Sequence, residues 1–131
     1  MKFAIQVNGS VFGSEAGDSA YQFIRAAIER GHEIVRVFFY HEGAYQGMAQ
    51  VSPPDDEPNP VKRWSELVHE CGTDLVICIS AAQRRGLLDG HGDLQSGEAP
   101  VGRVAPGFRI GGLGQWVDAC IRADRVLIFR P

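Results

Sequence analysis

The sequence predicts an open three-layer α/β/α domain around a mostly parallel sheet of four or five strands, flavodoxin-like in its topology. Three observations predict it. Short apolar runs recur without clean alternation, as strands buried on both faces do. Between them lie stretches in which apolar residues return every three or four positions, as on one face of a helix. The two kinds of segment take turns along the chain, which calls for right-handed crossovers and so for a parallel sheet covered by helices on both sides.

Residues 2–8 are mostly apolar and run into Asn8-Gly9-Ser10-Val11-Phe12-Gly13-Ser14, a first strand and its turn-rich loop. Over residues 18–30, Ala20, Phe23, Ile24, Ala27 and Ile28 keep helical spacing, and Gly31 follows as a stop. Residues 32–40 hold Ile34, Val35, Val37, Phe38 and Phe39, β-branched and aromatic side chains that suit a second strand, with His32 and His41 as its polar ends. A short helix fits 43–50. The next stretch carries Pro53, Pro54, Pro58 and Pro60, each removing a donor and fixing φ, so it crosses the surface without regular structure. Pro60 then opens a helix reaching Cys71 and ended by Gly72, with Val61, Trp64, Leu67 and Val68 on one face.

Leu75-Val76-Ile77-Cys78-Ile79 is the third strand, and a helix begins behind it near Ser80 and ends around Leu88. Residues 89–107 carry five glycines and two prolines without periodicity. Loops longer than about 12 to 15 residues are usually functional, so this one is expected to be a lid or docking surface. Phe108-Arg109-Ile110 reads as a short strand, and Gly111-Gly112-Leu113-Gly114 opens a last helix with Leu113, Trp116, Val117, Cys120 and Ile121. Residues 124–130, with Val126-Leu127-Ile128-Phe129, form the final strand.

The 131 residues fit one domain, 1–131, and a hydrophobic share of 44% against 22% charged residues excludes a disordered chain. A net charge of -3 with no basic block argues against direct nucleic-acid binding, which needs clustered Lys and Arg; only Lys62-Arg63, Arg84-Arg85 and the pair Arg122 and Arg125 come near. No segment approaches the roughly 20 apolar residues that span a bilayer, and no cleavable leader is visible. A cytoplasmic protein without membrane contact is expected. Three cysteines at 71, 78 and 120, odd in number and widely spaced, make no disulfide framework and are read as free thiols.

Among these thiols Cys78 stands apart, at a strand-to-helix junction on the carboxyl edge of the expected sheet, where α/β proteins gather their chemistry. The unpaired N–H groups and about half a positive charge at a helix start favour a thiolate there. Position alone also allows a small apolar filler in a buried strand. Cys120 reads as core and Cys71 as a partly buried helix end. Arg84 and Arg85, one turn on, either steer an anionic partner to the thiol or form a solvated face.

The glycines around Ser10 lack the Lys of a nucleotide-binding loop and the three-glycine dinucleotide spacing, which argues against a nucleotide or flavin site. Gly111-Gly112-Leu113-Gly114 is read as close packing. His69, Cys71 and His91 lack paired ligand spacing, so no metal is expected.

Cys78-Ile79-Ser80-Ala81-Ala82-Gln83-Arg84-Arg85-Gly86, with Gly31-His32-Glu33 leading into Val37-Phe38-Phe39-Tyr40-His41-Glu42-Gly43, then Ser52-Pro53, Trp64 and Phe108-Arg109-Ile110-Gly111-Gly112-Leu113-Gly114, resembles the DsrE/TusD family of sulfur-relay subunits. The resemblance covers nearly the whole chain and implies a single DsrE-like domain. It implies that Cys78 is the catalytic residue, a sulfurtransferase cysteine that accepts sulfane sulfur as a persulfide from an upstream donor protein. It further implies a cytoplasmic heterohexamer with paralogous subunits of DsrF/DsrH or TusC/TusB type, and a DsrC-like or TusE-like acceptor protein. Stretches 52–60 and 91–107 look individual, and they bear on the choice of partner.

Under this reading Ser80 is the N-cap that orients the helix at the sulfur, and Ala81 and Ala82 keep the approach open for an acceptor's cysteine arm. Two other classes stay open from sequence: a non-catalytic scaffold subunit with an inert Cys78, and a flavodoxin-like nucleotide or flavin binder. Thiolation of the tRNA wobble uridine and oxidation of stored sulfur share the same cysteine chemistry, so the residues do not choose between these pathways.

Overall fold

The computed structural model describes residues 1–88 and 102–131. The chain runs β1 (Lys2–Val7), α1 (Ala16–Glu29), β2 (Glu33–Phe39), a 3₁₀ helix (His41–Gly47), α2 (Pro60–Cys71), β3 (Leu75–Cys78), α3 (Ile79–Arg84), β4 (Leu87–Leu88), β5 (Gly102–Arg103), β6 (Phe108–Gly111), α4 (Leu113–Arg122) and β7 (Arg125–Phe129). Five strands form one all-parallel sheet in the order β6-β3-β2-β1-β7, and β4 pairs with β5 in a separate parallel ribbon.

The sheet lies between helical layers, as expected. Strand residues alternate between faces, and the alternation sorts the aromatic side chains. Phe3 meets Phe23 of α1 edge-on at 5.2 Å between ring centroids, and Phe39 meets Trp64 of α2 at the same distance. Phe38 points the other way and stacks on Trp116 of α4 at 5.8 Å, beside the small Ala4, Val35 and Ala119 contact. The layering and parallel pairing are flavodoxin-like; the strand order is not. In flavodoxin-like sheets the second strand lies at an edge beside the first. Here β1 to β3 and then β6 step outward in one direction, and β7 returns to the far side of β1.

Local signals account for the element ends. Asn59 caps α2 by accepting from the backbone N–H groups of Val61 and Lys62, Pro60 occupies the first turn, and Gly72 (φ 67°) takes the left-handed exit. The helix expected to run from Ser80 to Leu88 is shorter: it begins at Ile79 and stops at Arg84. Gly86 (φ 71°) turns the chain away, so Leu87–Leu88 becomes strand β4. Of the expected 89–107 loop, residues 89–101 and His91 lie outside the described residues. The remainder is ordered, with Val104 bridging to Met48 and the Ala105 N–H donating to the Gly47 carbonyl.

One face stays uncovered among the described residues. Val126 and Ile128 of the edge strand β7 are exposed, and so are Leu113, Val117 and Ile121 along α4, with Ile121 79% accessible.

Candidate functional site

Cys78 is the last residue of β3, and its backbone stands in register with Gly111 of β6. On the other flank, Ile77 pairs with Phe39, the last residue of β2. Parallel strands end together at the carboxyl edge, so Cys78 sits where the sequence placed it. Cys71 does not share that edge: it ends α2, ahead of the amino end of β3. Cys120 lies two residues from the end of α4, which leads into the amino end of β7.

The burial of the site is a finding of the tertiary structure. Cys78 is 1% accessible and belongs to the same buried cluster as Ala81, Ala82 and Leu87. Its side chain is covered in this conformation. Cys71, expected to be partly buried, is exposed, whereas Cys120 is half-buried on α4 and desolvation pushes its thiol pKa up.

Two roles assigned from sequence change. Ser80 is not the N-cap, because α3 starts directly off the strand with Cys78 itself in that position, and Ser80 lies exposed within the helix. Ala81 and Ala82 do not line an open approach. They are the buried face of α3, and its outward face is Ile79, Ser80, Gln83 and Arg84.

Arg85 has its partners within the fold. Its guanidinium donates to the Ala81 carbonyl at 3.1 Å and to a Glu42 carboxylate oxygen, and it stands 5.9 Å from the Tyr45 ring centroid. It ties α3 to the 3₁₀ helix, which is inconsistent with a free steering charge. Arg84, its neighbour, lies exposed.

The 3₁₀ helix is itself firmly seated. A Cβ at Gly43 would stand 2.0 Å from the Val7 carbonyl oxygen, so glycine is required there, and one at Gly47 would press on the side chains of Ile77, 2.4 Å from its Cδ1, and Phe108. Buried Gln46, not singled out by the sequence, donates from Nε2 to the Gly9 and Ser10 carbonyls and accepts the Trp64 indole N–H on Oε1. The signal for it was a polar residue enclosed by Gly43, Ala44 and Gly47. The helix opens on His41 with φ 51°, an uncommon left-handed value for a residue with a side chain, and its ring lies 4.0 Å from that of Tyr40.

Glu15 occupies the N-cap of α1, behind the Gly9-to-Ser14 turn, exposed and without a side-chain cap hydrogen bond, and a negative charge at that helix start disfavours a phosphate there. Among the described residues no three His, Cys, Asp or Glu side chains gather as a metal site. His32 instead lies 3.2 Å from the amino terminus through Nδ1 and packs edge-on against Phe3.

The amino edge carries the densest charge network among the described residues. Asp74 accepts from Arg36 Nε at 2.7 Å and from Arg109 Nε and Nη2 at 2.8 and 2.9 Å, while Arg36 Nη1 also reaches the Gln115 carbonyl and Asp118 of α4. The Arg109 hydrogen bond, seconded by Arg36, holds the Asp74 carboxyl below the usual carboxylate range against the opposing effect of burial. Arg36, then Arg122, lowers that of Asp118 likewise.

Against this geometry, the comparisons with known proteins agree. The sequence model of the DsrE/DsrF-like family matches residues 1–129. The chain is 47% identical over 129 residues to the Allochromatium vinosum protein named DsrE, covering 98% of each. It is 40% identical over 131 residues to a protein named sulfurtransferase TusD from Salmonella typhi, covering 98% of this chain and all of that one. The crystal structure of the ychN protein of Escherichia coli superposes with a TM-score of 0.75 at 21% identity, over 98% of this chain and 99% of that one, a likeness of fold.

Proposed function

The chain belongs to the DsrE/DsrF-like family and is a sulfurtransferase of the sulfur-relay kind, and from that premise we propose that Cys78 is its sulfur-carrying residue. The observation that carries this reading is the place of Cys78 at the carboxyl edge of the sheet, at the start of α3.

The chemistry is two symmetric exchanges. The Cys78 thiolate attacks the outer sulfur of an incoming persulfide; a new S–S bond forms, the donor's S–S bond breaks, and the donor leaves as a thiolate. A second thiolate, on a DsrC-like or TusE-like acceptor, then takes the outer sulfur from Cys78 in the same way. Sulfane sulfur moves without net oxidation or reduction, so no cofactor enters.

The partners follow the same reading: an upstream persulfide donor, and paralogous DsrF/DsrH-like or TusC/TusB-like subunits in a cytoplasmic heterohexamer. The 131 residues act as one DsrE-like domain, serving either tRNA wobble-uridine thiolation or oxidation of stored sulfur. The uncovered stripe of Val117, Ile121, Val126 and Ile128 supports the subunit contacts, since monomers rarely leave a contiguous apolar patch open. No described helix is long and apolar enough to cross a membrane. Ile121→Lys with Ile128→Glu should abolish co-purification of partner subunits, as read by pull-down from the native host.

The test of the carrier role is mass spectrometry after incubation with a persulfide donor. One added sulfur on the Cys78 peptide is expected, and a gain that survives Cys78→Ser would overturn the assignment. The burial of Cys78 favours one rival, a scaffold subunit whose thiol is inert. That rival predicts no sulfur on Cys78 even with partner subunits and acceptor present.

A further inference from the structure

The two exchanges at Cys78 leave a proton unassigned: the donor departs as a thiolate, and the acceptor's sulfur must shed its proton before it attacks. Resting on that carrier reading, we propose that His41 is the proton-transfer residue of the site, protonating the donor sulfur as it leaves and taking the proton of the acceptor thiol in the second exchange.

Its placement comes from the sheet. Phe38 and Phe39 pair with Val76 and Ile77, so the next residues, Tyr40 and Cys78, stand level on strands about 4.8 Å apart. Alternation carries Phe38, Tyr40, Val76 and Cys78 to the α4 face. The Phe38 ring stacks on Trp116 and lies 6.3 Å from that of Tyr40, while a Cβ at Gly111, in register with Cys78, would meet Val76 Cγ1 at 2.9 Å and Gln115 Cγ of α4 at 2.8 Å. Continued alternation would turn the His41 side chain to the opposite face. Its φ of 51° breaks that alternation, and the ring lies instead 4.0 Å from that of Tyr40, the residue beside Cys78. Cys78 is covered, so a group that trades protons with a visiting sulfur belongs on the exposed rim, and His41 is exposed there. Its neighbour Glu42 is taken up by Arg85, and the structure gives the imidazole no hydrogen bond or ion pair among the described residues. His41 is also the one described residue with a side chain whose φ falls in the left-handed region, a conformation that glycine adopts readily. Histidine in a strained position where glycine fits is the mark of a side chain kept for use.

The protons balance over the two steps. In the first exchange the imidazolium gives its proton to the donor sulfur as the donor's S–S bond breaks. In the second the neutral ring takes the acceptor's thiol proton, the acceptor sulfur attacks the outer sulfur, and Cys78 is left as the thiolate that began the cycle. The experiment follows loading of Cys78 from glutathione persulfide, and its unloading to glutathione, by peptide mass spectrometry on the full chain purified from its native host. His41→Gly should slow both exchanges about tenfold while the urea midpoint does not fall, because glycine fits the left-handed backbone. Added imidazole should restore the His41→Gly rates, and His32→Gln should leave both rates unchanged. Unchanged rates in His41→Gly overturn the role of His41 alone, and so does a slowing that imidazole does not reverse, which marks a structural residue. No sulfur on Cys78 of the unmutated chain removes the carrier reading and this role with it.

Discussion

The two ends of β3 are held in opposite ways. At the amino end, Asp74 is gripped by Arg36 from β2 and Arg109 from β6, and Arg36 carries the grip on to α4. At the carboxyl end, Cys78 runs straight into the six residues of α3, whose buried side chains are only Ala81 and Ala82 and whose next residue, Arg85, pairs with Glu42. The contrast puts the charge network at the amino edge and the proposed sulfur carrier at the carboxyl edge.

The sharpest test separates the two ends by readout. Cys78→Ala should remove all sulfur loading while the urea midpoint moves little, whereas Arg36→Met should leave loading per folded molecule intact and cost about 3 kcal/mol, because it uncouples three elements around a partly buried carboxylate. Similar stability losses in both variants would break the comparison. Next in size is Gln46→Leu, which leaves the Trp64 N–H and the Gly9 and Ser10 carbonyls without their partner and should cost about 2 kcal/mol by urea unfolding. A smaller cost would mean that the 3₁₀ platform is less rigid than its packing implies.

Acid gives the smallest effect. The folded pKa of Asp74 lies below its unfolded value of about 3.9, so the stability it contributes is fully present above that pH and is lost as pH falls through about 4 toward the folded value. Arg36 and Arg109 stay charged throughout. Urea midpoints measured from about pH 6 down to about pH 3 should fall less steeply in Asp74→Asn than in the unmutated chain, and equal slopes would remove Asp74 from the account.

Much of this was legible in the residues. The α2 ends follow from Asn59, Pro60 and Gly72, whose effects are local, and the five strands of the main sheet follow from apolar runs that need only their own composition. The ends of α3 were not legible. Its start depends on how β3 finishes, and its stop depends on Gly86 and on the pairing of Leu87 with Gly102, a partner remote in sequence. For the same reason Arg85 read as a candidate steering charge: its partner Glu42 is 43 residues away.

What the amino-acid sequence determined alone is the alternation of strand and helix, the absence of a disulfide framework, and the position of a single cysteine at a strand-to-helix junction, all properties of neighbours within one or two turns. Tertiary structure alone decided the strand order, the clamp on Asp74, and the burial of Cys78. These arise from contacts between segments tens of residues apart, where shape and desolvation rather than spacing select the partner.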